Sequence, residues 1–343
     1  MLLRLFIVSF LCLGLVSTVS AASRFRGVQV GADINAEDIA VLSTWGPHIL
    51  VRYQLHWSDF AAADASDETS YNVWLDSALD RFASLVPTFE QYGMKVILNL
   101  HTPPGGFTRR DEQATHRVFV EQWAQDAFIR AWEKIATRFK DATVIYGLDL
   151  LNEPAQYELK LAAPLKDWNA LGAQAAATVR SIDPLHTILM GPRYGNPSYI
   201  NRLKPLTVSN VKYTIHFYQP FKFLHQGLYG LPLGMNYPSK KWNKKYLLAQ
   251  LEKVDAFQKK YKKAKIYVGE FGVNRLAPGD SGANYLSDIL SIFEKKKWEW
   301  TFHAFRDHNI WSVEHDGTAE HNAVAETPTD RFQILTSYLG RNS

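Results

Sequence analysis

The chain has 343 residues, and 38 Lys and Arg against 34 Asp and Glu leave a formal charge of only +4 at pH 7. The basic residues are spread along the chain in short clusters that read as solvated helix ends, with no basic face or binding motif, which argues against a nucleic-acid partner. The single cysteine, Cys12, lies in an apolar leader, so the remaining chain uses no disulfide and must rest on the large core that its length can bury.

Residues 1–4 carry one positive charge, 5–16 are apolar, and Val19, Ser20, Ala21 and Ala22 are small. This pattern predicts a secretory signal peptide over 1–21, and hence an extracellular or periplasmic protein. The apolar stretch is short for a membrane span, so no stable span is expected once the leader is cleaved. Residues 22–343 show no Pro/Gly/Ser linker and no second composition zone, and read as a single catalytic domain and a monomer.

Apolar strand-like runs then recur at 27–32, 49–55, 95–101, 144–151, 187–191, 211–218, 265–270 and 298–305. Amphipathic patterns separate them: Leu75, Leu79, Phe82, Leu85, Val86 and Phe89; Trp123, Phe128, Trp132, Ile135 and Phe139; Leu247, Leu251, Val254, Phe257 and Tyr261. Alternating strands and helices argue for repeated βα units and a parallel sheet. Eight such units predict an α/β fold closed as a (β/α)8 TIM barrel, in which chemistry gathers at the carboxyl ends of the strands.

Two of those strand ends carry an acid. Glu153 lies in Asp149-Leu150-Leu151-Asn152-Glu153-Pro154, and Glu270 in Ile266-Tyr267-Val268-Gly269-Glu270-Phe271-Gly272. Breaking a glycosidic bond needs one protonated carboxyl beside the leaving oxygen and one carboxylate at the anomeric carbon, on rigid supports. Asp149 shares a strand face with Glu153 but lies about 13 Å deeper at ~3.3 Å per residue, and reads as a barrel-interior acid. His216 and Tyr218 are two apart and share a face, so both can reach one ligand. Asn152 would present an amide to a substrate hydroxyl. Arg52 lies in the second strand run, where a buried pairing with Asp149 is one reading of it. His101, followed by Pro and Gly residues, stands near a strand end. His56, Trp57, His225 and Trp242 are equally compatible with sugar contact and packing. Trp, Tyr and Phe make up 13% of the chain, a supply suited to stacking on sugar rings as well as to core packing. No set of His, Asp and Glu has metal-ligand spacing, and no dinucleotide or serine-hydrolase motif is present, so neither metal nor cofactor is expected.

On these motifs the chain resembles glycoside hydrolase family 5, the retaining cellulase and mannanase family, from the strand-two Arg52 to Gly269-Glu270-Phe271-Gly272. Leu98-Asn99-Leu100-His101-Thr102-Pro103-Pro104-Gly105-Gly106 resembles the family's strand-three segment, and His216-Phe217-Tyr218 its strand-six pair. The resemblance implies a retaining mechanism with Glu270 as nucleophile and Glu153 as acid/base, the two carboxyls about 5 Å apart. Arg52 and the Tyr218 hydroxyl would support the ionised nucleophile.

One departure stands out. The family carries a tryptophan at the end of strand eight, flooring the subsite of the reacting sugar, where this chain has His303. Trp311, which lies past the strand, is the first choice for a replacement platform. Trp300 is the second, but it has the strand parity opposite to His303 and so reads as core. Glu314 reads as a surface acid on a loop over the cleft. The combined expectation is a secreted endo-β-1,4-glucanase. A β-mannanase or another β-glycan hydrolase is the alternative within the class, and a non-catalytic glycan-binding barrel the alternative outside it.

Overall fold

The computed structural model describes residues 24–57, 67–110, 113–158, 160–262, 264–318 and 323–343. The leader expected at 1–21 lies outside the described residues. In chain order the strands are β1 (Arg26–Val30), β2 (Leu50–Leu55), β3 (Lys95–Leu100), β4 (Phe107–Arg110), β5 (Gln113–His116), β6 (Ile145–Asp149), β7 (Thr187–Met190), β8 (Val211–Phe217), β9 (Lys265–Phe271) and β10 (Glu299–Phe305). Eight of them close a barrel in the order β1-β2-β3-β6-β7-β8-β9-β10, with β10 returning to β1. Every barrel pairing is parallel. The eight runs read from the sequence are these strands. The antiparallel hairpin of β4 and β5 is an addition that the apolar pattern did not signal.

Strand parity divides the interior from the helix-facing side. Val51, Tyr53 and Leu55 join Val96, Leu98 and Leu100 in the large core shared with the helices. Leu50 and Ile97, of the opposite parity, pack with Leu189 and Tyr267 in a small separate cluster, as expected for the inside of a filled barrel. Arg52 has the parity of Leu50 and lies in register with Gln29 and Ile97, which carries its side chain inward.

The helices are α1 (Ala36–Ser43), α2 (Glu68–Gln91), α3 (Gln122–Phe139), α4 (Trp168–Ile182), α5 (Phe221–Leu224), α6 (Lys244–Gln250), α7 (Glu252–Lys260), α8 (Ser281–Lys296) and α9 (Asp330–Leu339). In α2 the buried Leu75, Leu79, Phe82, Leu85 and Phe89 are three or four apart, the spacing of one helical face. In α3 the buried set includes Phe128, Trp132, Ile135 and Phe139. The pattern from Leu247 to Tyr261 is two helices rather than one, meeting at Leu251.

A second difference matters for the site. The run at 144–151 leaves the strand at Asp149, so Glu153 is not at a strand end but in the segment beyond it. Leu150 N still donates to Leu189 O and Asn152 N to Leu100 O, each at 3.0 Å, which pins this segment to both neighbouring strands. Glu153 itself has φ of 40°, a left-handed conformation that a non-glycine residue adopts at a cost.

Candidate active site

Glu153 and Glu270 line one cavity of about 440 Å³, together with Tyr194, Asn196, His216, Tyr218, Phe221, His225, Tyr229, His303 and Trp311. One oxygen of each carboxylate and a ring nitrogen of His216 all lie within 4.8 Å of one another. The two glutamates therefore face the same space. Their exposures differ, 40% for the Glu153 side chain against 7% for Glu270, so only Glu153 is freely open to water.

Glu270, near the end of β9, is gripped on both oxygens. Arg52 Nη1 donates to Oε1 at 2.8 Å and the Tyr218 hydroxyl donates to Oε2 at 3.1 Å. Burial alone would raise this carboxyl, but the charges of His216, Arg52 and His303 outweigh it and hold Glu270 well below the usual carboxylate range. It is an ionised group with its charge already met by fixed donors.

Arg52 lies against both Asp149 and Glu270. It is fully buried, and its Nη2 lies 2.8 Å from Asp149 Oδ2 while Nη1 reaches Glu270. Nη1 also donates to Gln29 Oε1, and Nη2 donates to Asn152 Oδ1 at 3.0 Å. Asp149 is fully buried, as an interior acid should be, and its burial outweighs the attraction of Arg52 and raises its pKa.

Asn152 and His101 form the next contact. Asn152 Nδ2 donates to His101 Nε2 at 3.2 Å, and His101 Nδ1 lies 3.1 Å from Asn99 Oδ1. A ring that accepts at Nε2 and donates at Nδ1 is neutral, in keeping with burial pushing His101 well below its ordinary value. The Asn152 amide thus accepts at Oδ1 from Arg52 and gives one of its two N–H groups to His101.

His216 stands between the two acids, with Nδ1 2.9 Å from Glu153 Oε1 and 3.6 Å from Glu270 Oε2. A glycine makes room for it: Gly195 has φ of 61°, and a Cβ there would lie 2.6 Å from His216 Cγ. Tyr218, two residues on, shares the cavity as strand parity required.

At the end of β10, His303 lines the cavity while Trp300 is fully buried, packed against Phe271 at 5.5 Å between ring centres. Trp311 lines the cavity too, 5.4 Å from the Tyr218 ring and 6.1 Å from His303, but only 7% of it is exposed. It therefore presents only a small part of its ring to the cavity. Gly272 leaves the space it fills, since a Cβ there would sit 3.2 Å from Trp311 Cε3.

His225 also lines the cavity, stacked on Phe221 at 4.0 Å, whereas Trp242 packs against Phe223 and lies off the cavity lining. Trp57 stacks on Trp74 at 5.4 Å, and the His56 ring meets His101 edge-on at 4.9 Å. Glu314 is not a surface acid: its side chain is 9% exposed and pairs with Arg306 at 3.5 Å. A loop charge reads as solvated unless its partner is known, and Arg306 lies eight residues earlier.

Sequence reasoning missed Tyr194, Phe221 and Tyr229 on the cavity wall, and Gln29, Gln54 and Asp307 behind it. Gln54 carried a signal, because it lies two residues after Arg52 on the same strand face. Phe221 opens the four-residue α5, and Tyr194 and Tyr229 lie on turns, all segments too short for a periodicity to mark direction.

Glu153, His216 and Glu270 are close enough to share an ion. The guanidinium of Arg52 at 2.8 Å and the hydroxyl of Tyr218 already satisfy Glu270, however, and a second positive charge there would meet Arg52. The donor set suits a carboxylate kept for chemistry better than one kept for a cation.

The model of the cellulase family, glycosyl hydrolase family 5, matches residues 20–309. The chain belongs to glycosyl hydrolase family 5. Relatives of the chain include Endoglucanase C of Acetivibrio thermocellus, 25% identical over 236 residues, which cover 60% of this chain and 66% of that protein. The match thus spans just under two thirds of the relative's own length. Cellodextrinase A of Ruminococcus flavefaciens is 25% identical over 270 residues, 76% of this chain and 75% of that one. Among solved structures, Cel5A of Thermotoga maritima in complex with cellobiose superposes with a TM-score of 0.69 at 24% identity, covering 91% of this chain and 97% of that one, a likeness of fold.

Proposed function

We propose that the protein is an exported, retaining glycoside hydrolase that cuts β-1,4-linked glucan internally. The observation that carries this reading is the closeness of the two acids, with oxygens of Glu153 and Glu270 within 4.8 Å across one cavity. Retaining enzymes hold their carboxyls about 5–5.5 Å apart, whereas inverting enzymes leave about 6.5–9.5 Å for an intervening water.

In the first step Glu270 attacks the anomeric carbon as Glu153 gives its proton to the departing oxygen, forming a glycosyl-enzyme. In the second, Glu153 takes a proton from water, which attacks the same carbon and frees Glu270. The ionised, clamped Glu270 suits the nucleophile, and the more exposed Glu153 suits proton exchange with solvent. The β-1,4-glucan substrate is favoured by the printed names of the relatives, Endoglucanase C and Cellodextrinase A. Export is favoured by the apolar leader and the small residues up to Ala22.

Chromatography of products from a panel of β-glucans, mannan and xyloglucan tests the reading. Short oligosaccharides from β-1,4-glucan, with an early fall in viscosity, are expected. Hydrolysis of mannan alone would make it a mannanase, and binding without hydrolysis would make it a glycan-binding barrel.

A further inference from the structure

His303 is the one departure at the site that brings its own set of partners. Its Nδ1 lies 2.5 Å from the Tyr218 hydroxyl oxygen, and its Nε2 lies 3.3 Å from Asp307 Oδ2. Gln54 Nε2 donates to the same Asp307 oxygen at 2.9 Å and fixes it in place. The Tyr218 hydroxyl in turn lies 3.1 Å from Glu270 Oε2. Asp307, His303, Tyr218 and Glu270 form one chain of contacts from β10 and the loop beyond it to the carboxylate on β9.

Counting protons along this chain ties its direction to the charge on His303. Tyr218 has one hydroxyl proton, and an ionised Glu270 can only accept. If that proton goes to Glu270, the Tyr218 oxygen must accept from His303 Nδ1–H. Asp307, also a carboxylate, accepts from Nε2–H. Both ring nitrogens then carry hydrogen and His303 is an imidazolium. When the ring loses a proton, Asp307 retains the one on Nε2, Nδ1 becomes an acceptor, and the Tyr218 hydroxyl turns away from Glu270 toward it.

We infer that His303, oriented by Asp307 and Gln54, is a positioning residue that directs the Tyr218 hydroxyl onto Glu270 and supplies a positive charge beside it. This inference rests on Glu270 being the nucleophile. The groups facing the ring are Tyr218 after β8, Glu270 on β9, Arg52 on β2 and Asp307 after β10, with His101 and His56 facing Asp307 from the other side. Burial opposes the charge on His303, but the hydrogen bond to Asp307 and the charges of Glu270 and Asp307 outweigh it and raise its pKa, in agreement with the proton count. At the slot where the family places an aromatic sugar platform, this chain therefore has a cation aimed at its own nucleophile.

The test pairs a kinetic with a spectroscopic readout, on the full protein and on whichever β-glycan the wild type hydrolyses. The acidic limb of kcat/KM reports ionisation in the free enzyme. Replacing His303 by Phe removes both the charge and the donor, so that limb should move to higher pH by about one unit. His303→Asn, whose amide can still donate to Tyr218, should move it less. By NMR, the His303 ring should stay doubly protonated above the ordinary imidazole value of about 6.5, and Asp307→Asn should bring its titration down by about one unit. An acidic limb unmoved in His303→Phe overturns the inference. So does a His303 ring that titrates no higher than free imidazole, a measurement that decides the matter even if His303→Phe does not fold. A protein that hydrolyses no glycan overturns the proposed function instead, and leaves the NMR titration to judge His303 by itself.

Discussion

Arg52 Nη1 lies 2.8 Å from Glu270 Oε1, and the same fully buried guanidinium holds Asp149 from its other side. Charges taken out of water are costly, and each is tolerable only while the others are present. Arg52→Met should therefore lower stability by about 3–5 kcal/mol, the effect of breaking a buried pair. Urea unfolding measures it, and an unchanged midpoint would mean that the pairing contributes nothing.

The depressed Glu270 carboxyl ties stability to acid. Its folded value lies below the unfolded value of roughly 4.3, so its contribution is fully present above that pH and disappears as pH falls toward the folded value. Glu270→Gln should flatten the acid side of a plot of Tm against pH. An acid limb identical to wild type would show that Glu270 is not held ionised by its neighbours.

Removal of the proposed nucleophile should leave binding intact. Glu270→Gln keeps the shape but cannot attack, so kcat should fall at least about a thousandfold while calorimetry still detects oligosaccharide binding. Glu153→Ala should differ: kcat should drop about 10²–10⁴-fold on substrates with poor leaving groups. Aryl glycosides with acidic phenols should be less affected in the first step, and azide should restore turnover by replacing water. Identical responses of the two variants to leaving group and azide would refute the division of roles.

The two tryptophans separate packing from binding. Trp300→Ala should cost about 3–5 kcal/mol of stability, as large aromatic core deletions do, with KM little changed. Trp311→Ala should raise KM, but at 7% exposure it should lower Tm as well. A Trp311→Ala protein with unaltered KM would remove Trp311 from the sugar site.

Much of this was legible in the chain because it depends on local pattern. The eight barrel strands are short apolar runs, and the pairing of His216 with Tyr218 follows from a spacing of two. What depends on meetings between distant segments was not legible in local pattern. Arg52 reaches Glu270 across 218 positions, a meeting that only the family resemblance implied, and nothing near either residue says that one guanidinium serves both Glu270 and Asp149. The segment after Asp149 looked like more strand because Leu150 and Leu151 are apolar, yet it leaves the ladder and Glu153 takes a left-handed conformation. Asp307 carried no local signal of its own. Its role came from Gln54 and His303, which only the closed barrel brings together.

The configuration of the first product tests the central claim most directly. Proton NMR of a β-1,4-glucan digest, recorded before mutarotation, should show the new reducing end appearing as the β anomer, because two displacements at one carbon restore its configuration. An α anomer appearing first would mean a single displacement by water, and would contradict the assignment of Glu270 as nucleophile.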